Sequence, residues 1–282
     1  MKDLLKNLYI RTNKDHNRDV YLKNAYADAI YCYSTIYPYL TKNKKILEIG
    51  GGLHLLASYL HNLNYNITSL EPGGFADYID NLRKQIIDKS DLKIFTTTLE
   101  KFKTKKKFDF IFSMNVLEHT DNIKEHIRCC IKLLKDENSL LFIQCPNYAF
   151  PFEPHFYKWF IPFFPSFTFA RLRKKKLIRE LGKDKYENIL NNLNFDCTYF
   201  KIKKLKFRIK FIHPLKDIFN RINQDSVFKE RLLKNLLVRL CYKIIIFLQI
   251  KKIITYFFPM SLAPYLVMEI KKYKKENKFL TL

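Results

Sequence analysis

Two glutamates around a glycine turn, and two histidines further along, are of types and spacings that can do chemistry. Glu48 lies near the end of the apolar run Lys45-Ile46-Leu47-Glu48-Ile49, Gly50-Gly51-Gly52 makes a tight turn, and Leu53 to Leu60 reads as the start of a helix. Glycine suits a turn that a ligand must approach closely, because a Cβ blocks the approach and disfavours positive φ. Glu71 closes the next apolar run, roughly 20 residues on, where a nucleotide-type α/β fold carries a carboxylate for two ribose hydroxyls. Glu48 is expected to face the same crevice. A glycine turn between strand and helix is equally common as structural punctuation. His119 and His155 have the near-neutral pKa of a general base. His119, with Glu118, can instead cap a helix start, whereas His155 sits with Glu153 among aromatics that suggest a formed pocket.

These residues need a scaffold, and the pattern supplies one. Apolar runs at 45–49, 66–70, 92–96, 108–114 and 139–145 read as strands, and periodic stretches at 53–62, 75–88 and 121–134 read as helices. That alternation predicts an α/β fold: a doubly wound, mostly parallel sheet with helices on both faces. Asn115 then falls just past the carboxyl end of a central strand, where open parallel sheets place ligands.

The ordered blocks Leu47-Glu48-Ile49-Gly50-Gly51-Gly52, Leu70-Glu71-Pro72, Phe108 to His119, and Leu133-Leu134-Lys135 to Cys145-Pro146-Asn147 resemble the class I S-adenosylmethionine-dependent methyltransferases over about residues 40 to 155. The resemblance implies a Rossmann-like methyltransferase fold, S-adenosyl-L-methionine as cofactor, and a cofactor site at Glu48, Gly50, Gly51, Gly52, Glu71, Thr98, Leu99 and Asn115, with His155 and His119 as catalytic candidates. Two departures stand out. His54 replaces the family's third glycine, and Thr98 occupies the place of an acid that meets the adenine amino group. The Thr98 hydroxyl and the Leu99 backbone can still meet adenine, although the threonine run reads equally as a strand end. Some members of the superfamily hold a divalent metal with Glu-x-x-Glu-His and a later histidine. Here Asn115-Val116-Leu117-Glu118-His119 has an amide in the first position, and no metal is expected.

Four segments follow: a helical cap over 1–42, a cofactor-binding core over 43–149, an aromatic and basic lid insertion over 150–196, and the last strands with a basic amphipathic helical insertion over 197–282. Residues 198–211 alternate lysine with apolar residues and read as a strand, 226–258 reads as helical, and Pro264 to Lys271 reads as a closing edge strand. Tyr21, Ala25, Ala29, Tyr33 and Ile36 form a helical stripe suited to packing on the sheet.

The net charge of +24 is uneven. Residues 171–282 hold 28 Lys and Arg against 9 Asp and Glu, so +19 lies there and +5 in the rest. The abundance of lysine beside isoleucine, asparagine, phenylalanine and tyrosine also fits compositional drift. Six cysteines without Cys-x-x-Cys or metal-ligand spacing read as reduced thiols of a cytoplasmic protein, and Met1 to His16 does not read as a secretory signal. The uncharged run Ile244 to Ile250 is far short of the roughly 20 residues that span a bilayer. The helix around it is expected to dock on the protein or to lie at the inner face of an anionic membrane.

The expected partner is a small-molecule, lipid-linked or surface-sugar acceptor of a methyl group. A nucleic-acid (RNA) methyltransferase is the alternative favoured by the basic half. Against it, Asn115-Val116-Leu117-Glu118 lacks the Asn/Asp-Pro-Pro-Tyr signature of amino-methylases of DNA bases. A non-catalytic binding or membrane-scaffold protein is the alternative suggested by His54 and Thr98.

Overall fold

The structure, a computed structural model, describes residues 16–73, 77–87, 91–233 and 235–272. The first part of the 1–42 segment, both ends of the helix read over 75–88 and the last residues of the 197–282 segment lie outside them. In chain order the described elements begin with α1 (His16–Ile36), β1 (Lys45–Ile49), α2 (Leu55–Asn62), β2 (Asn66–Leu70), α3 (Asp77–Ile87), β3 (Lys93–Phe95), β4 (Phe110–Met114), α4 (Ile123–Leu133) and β5 (Leu140–Pro146). There follow β6 (Phe152–Glu153), β7 (Lys158–Trp159), α5 (Lys174–Leu181), α6 (Lys183–Asn191), α7 (Tyr199–Lys203), β8 (Ile209–Ile212), α8 (Leu215–Gln224), α9 (Ser226–Leu233), α10 (Leu236–Phe247), α11 (Lys251–Phe257) and β9 (Tyr265–Lys271).

Seven strands form one sheet in the order β3-β2-β1-β4-β5-β9-β8, with β6 and β7 as a separate antiparallel pair. β1 pairs in parallel with β2 and with β4, so Leu47 lies between Thr68 and Ile111. All but the first residue of β1 are buried, as expected of a strand covered on both faces. The fold is the expected Rossmann-like α/β sheet. β9 is not the edge strand that was expected: it lies between β5 and β8, and β8 takes the edge.

The chain divides into two compact units. The first comprises Met1–Met114, Ile127–Phe142 and Ile270–Leu282, and the second Asn115–His126 and Ile143–Glu269. In the first, the fully buried Leu47, Phe110, Phe112 and Phe142 form the core, and Tyr39 packs on Phe110 and Phe142 at ring distances of 5.8 and 5.4 Å. Asp109 fixes the start of β1 against β4, accepting from the Lys45 amide at 2.8 Å and from Lys135 Nζ at 3.1 Å.

In the second unit the aromatic-rich stretch is packed in part, whereas Phe163, Phe164 and Phe167 are exposed. Phe156, Phe160, Phe169 and Tyr186 are buried, and Tyr186 donates to the Phe169 carbonyl at 3.0 Å. Asn147 is a hub: its Nδ2 donates to the carbonyls of Ser261 and Ala263, and its Oδ1 accepts from the amides of Ala149 and Tyr199. Cys145 and Cys197 are buried side by side with their sulfurs 3.2 Å apart.

The strand read over 198–211 is replaced by α7 and the short β8. Thr198 caps the helix by accepting from the Lys201 amide, a local bond that alternation cannot reveal. The 226–258 stretch is three helices. Asn235 caps α10 by accepting from the amides of Leu237 and Val238, and Gln249, at a φ of 55°, turns the chain into α11. One face of this hairpin docks, with Tyr242, Ile245 and Ile254 packing on the buried Leu215, Phe219 and Ile222 of α8. The other face is exposed. Among the described residues no helix is long and apolar enough to cross a membrane.

Candidate active site

The glycine turn takes its shape from what surrounds it. Gly50 and Gly52 adopt φ values of 76° and 52°, where a side chain is strained. Gly51 needs to be glycine for a different reason: a Cβ there would lie 2.3 Å from Ser69 Oγ and 2.6 Å from both Glu48 and His54. At Gly52 a Cβ would meet no atom of the described residues within 4 Å beyond its own chain neighbours, so among these residues this side of the turn is open.

Glu71 follows β2, and its amide donates to Phe95 at the end of β3. Its two carboxylate oxygens accept from the amides of Gly52 (2.9 Å) and Gly73 (3.1 Å), so it is held against the turn with lone pairs remaining for a ligand. Burial raises its pKa, with the two amide bonds and the positive charge of Arg83 acting in the opposite direction. The guanidinium of Arg83 is packed where a side chain on Gly73 would otherwise stand. Its Nε and Nη1 have no hydrogen-bond partner among the described residues.

Glu48 is directed into the interior of the turn. It accepts from the Ser69 hydroxyl, which also bonds His54 Nδ1 at 2.8 Å. Burial raises Glu48 to about 7 and lowers His54 to about 4, the latter with help from Arg83. The buried group therefore carries a protonated carboxyl and a neutral imidazole in weak acid. His54 has a φ of 55°, the left-handed conformation that glycine otherwise supplies, and its ring is wholly buried on the Gly51 side. The substituted glycine thus became part of the support of the turn. Ser69 and Arg83 escaped sequence reasoning because a serine inside a strand and an arginine on a helix carry no signal of their own.

Thr98 and Leu99 follow β3. Thr98 precedes a short 3₁₀ turn in which its carbonyl accepts from the Lys101 amide, and Leu99 is buried. Asn115 belongs to the second unit, is exposed, has a φ of 55° and donates its amide to the Gln144 carbonyl.

The second unit brings the two histidines together: the rings of His119 and His155 are 5.1 Å apart, edge to face. Glu153, fully buried, accepts from His155 Nδ1 at 2.6 Å and from the Phe156 amide. This is the carboxylate–imidazole arrangement that fixes a tautomer and leaves Nε2 as the basic nitrogen. His119 Nδ1 lies 2.8 Å from the Asn192 carbonyl, and burial together with His155 lowers its pKa. Glu118 is fully buried, neither of its oxygens has a hydrogen-bond partner among the described residues, and burial raises it to about 7. Glu118, His119 and His155 can each offer a ligand atom within 4.8 Å of the others, so the cluster can hold either a proton or a cation.

A family model described as a methyltransferase domain matches residues 17–199. An uncharacterised protein of Mycobacterium tuberculosis is 35% identical over 164 residues, covering 56% of this chain and 54% of its own. A ubiquinone biosynthesis O-methyltransferase of Pelagibacter ubique is 33% identical over 107 residues, covering 38% of this chain and 43% of its own. The chain spans about half the length of the curated relatives it matches. An S-adenosylmethionine-dependent methyltransferase structure from Mesorhizobium loti aligns over 87% of this chain and all of that one, with a TM-score of 0.51 at 10% identity, and shares the fold.

The Glu48 carboxyl sets a pH dependence. Its pKa rises from 4.5 unfolded to about 7 folded, so the folded state holds the extra proton and stability is lost as pH rises through that window. Glu48→Gln, which can still accept from Ser69, is expected to match the parent in urea denaturation near pH 4 and to exceed it by about 3 kcal/mol at pH 8. Equal stabilities at pH 8 would mean that Glu48 ionises normally in the fold.

Proposed function

We propose that this chain, which belongs to the methyltransferase domain family, transfers a methyl group from S-adenosylmethionine to a small-molecule acceptor. The observation that carries the proposal is the open side of the turn at Gly52, bordered by a Glu71 carboxylate that two backbone amides hold in place. Gly50, Gly51 and Gly52 would meet the cofactor with bare backbone, Glu71 would take the ribose hydroxyls, and Thr98 and Leu99 would meet the adenine, with Asn115 as a further contact. When bound, the cofactor supplies a methyl group on a positively charged sulfur, an electrophile that needs no further activation. The protein's part is to align the acceptor, exclude water and take up its proton. His155 would receive that proton at Nε2, with Glu153 stabilising the resulting imidazolium. His119, held by the Asn192 carbonyl beside it, would orient His155 and the acceptor. Since the Pelagibacter relative is an O-methyltransferase, hydroxyl acceptors are the first to test.

A second reading concerns the partner. The outward face of α10 and α11 exposes Leu236, Leu240, Ile244, Phe247, Ile253 and Phe257 beside Arg239, Lys243 and Lys252. Between Arg231 and Met268 the sequence holds six basic residues and no acidic one. An apolar stripe with a basic border fits the headgroup layer of an anionic membrane, from which a lipid-linked acceptor would be taken.

Two experiments test these readings. With methyl-labelled cofactor and a cell extract separated into polar, lipid and nucleic-acid pools, label is expected in the polar or lipid pool. His155→Gln should lower kcat by ~10²–10⁴-fold at unchanged cofactor affinity. Label in nucleic acid, or full activity of the variant, would contradict the assignment. In flotation assays the protein should rise with vesicles containing phosphatidylglycerol and not with pure phosphatidylcholine. Lys243→Ala with Lys252→Ala should weaken that binding by about 2 kcal/mol, roughly 30-fold. Equal recovery on both vesicle types would remove the electrostatic part of the membrane reading.

A further inference from the structure

Behind the exposed face of α10 lies an apolar cavity of about 190 Å³, lined among others by Phe219 and Ile222 of α8, Leu232 of α9, and Val238, Tyr242 and Ile245 of α10. Its far wall is formed by Phe150, Phe152 and Pro154. The volume is below the ~300–1,000 Å³ usual for drug-sized ligands, and the lining offers little to hold a polar molecule in a defined pose. A stretch of a single hydrocarbon chain fits both the size and the chemistry.

Two placements say where such a chain would come from and where it would lead. α10 divides its side chains between the two environments: Val238, Tyr242 and Ile245 line the cavity, whereas Leu236, Leu240, Ile244 and Phe247 are exposed beside Arg239 and Lys243. The cavity wall therefore shares a helix with the basic apolar face. At the other end, successive residues alternate in role along the chain. Phe152 and Pro154 line the cavity, and the intervening Glu153 with the following His155 forms the carboxylate–imidazole pair. A tail seated against Phe152 and Pro154 would thus lie along the segment that carries the candidate base.

Resting on the membrane reading above, we propose that this cavity binds the hydrocarbon tail of a lipid acceptor drawn from an anionic membrane, with the polar head of that lipid left outside the apolar lining. The tail gives the acceptor its affinity and position, and the head gives it the reacting atom. Charge favours this occupant over a protein helix, since a six-cation stretch without an acid matches a headgroup layer.

Cys241 supplies the readout, because it is exposed and also lines the cavity. Alkylation of Cys241 in the full chain is followed by peptide mass spectrometry in the presence of straight-chain fatty acids of increasing length, with farnesol as the isoprenoid arm. Protection is expected to strengthen by about fourfold per added methylene, the equivalent of ~0.8 kcal/mol, and to level off once the cavity is filled. Stronger protection by farnesol than by a fatty acid of equal carbon number would identify an isoprenoid tail, and the reverse an acyl tail. Ile222→Trp, which fills the cavity, should abolish protection. Val238→Phe, at a less buried wall position, should shorten the chain at which protection levels off, and so serves if the first variant does not fold. Protection independent of chain length and unaffected by Val238→Phe would overturn the cavity proposal even if the protein floats with anionic vesicles. Chain-length-dependent protection without flotation would keep the cavity and overturn membrane loading. Neither result depends on cofactor binding, so failure here is distinct from failure of the methyltransferase reading.

Discussion

The bond between the Glu71 carboxylate and the amide of Gly52 is the interaction on which the candidate cofactor site depends. It joins the end of β2 to the turn after β1, and the second oxygen, taken by the Gly73 amide, prevents the carboxylate from turning away. Two backbone amides, at 2.9 and 3.1 Å, hold the acid in position before any ligand arrives. The turn takes positive φ at Gly50 and Gly52, which glycine adopts without strain and which leaves the backbone there without side chains. Preorganisation of this kind spares a ligand the cost of ordering its own site.

Beneath the turn, the Glu48–Ser69–His54 group solves a different problem. Three polar side chains are buried together, and the fold keeps them uncharged: burial holds the carboxyl protonated to about pH 7 and the imidazole neutral down to about pH 4. Their bonds fill the space that Gly51 leaves empty. In the second unit burial raises Glu118 to about 7 in the same way, and the two buried carboxyls there differ in their bonds. Glu153 is satisfied by His155 and the Phe156 amide, whereas Glu118 has no hydrogen-bond partner among the described residues. A buried carboxyl without bonds is costly wherever it lies, and Glu118 lies next to His119 in the cluster proposed to supply the base.

Much of this could be read from the sequence, and the reasons are specific. The strand at 110–114 is a nearly uninterrupted apolar run, so its burial was legible, and Glu71 was found by its distance from the glycine turn. His119 and His155 were legible only as two candidate bases; their edge-to-face contact required the fold. The direction of Glu48 was not legible, because the partner that turns it inward, Ser69, carries no motif. The helix at 199–203 was missed because its cause is one threonine cap set against a misleading alternation of lysines. In the 226–258 stretch the helical pattern was read correctly but its breaks were not, since an asparagine cap and a left-handed glutamine leave the apolar periodicity almost unchanged.

The central claim is that the side-chain-free face of the turn, with Glu71 at its border, seats S-adenosylmethionine. Titration calorimetry with that compound on the folded protein tests it most directly, with Gly52→Ala as the partner experiment because the added methyl group meets no atom of the described residues within 4 Å, and the strain of its φ of 52° is read separately by urea denaturation. The account predicts one-to-one binding by the parent and affinity reduced roughly tenfold or more, ~1.4 kcal/mol, in a variant whose circular dichroism is unchanged. A folded parent that takes up no cofactor, or a Gly52→Ala protein that binds as tightly as the parent, would contradict it.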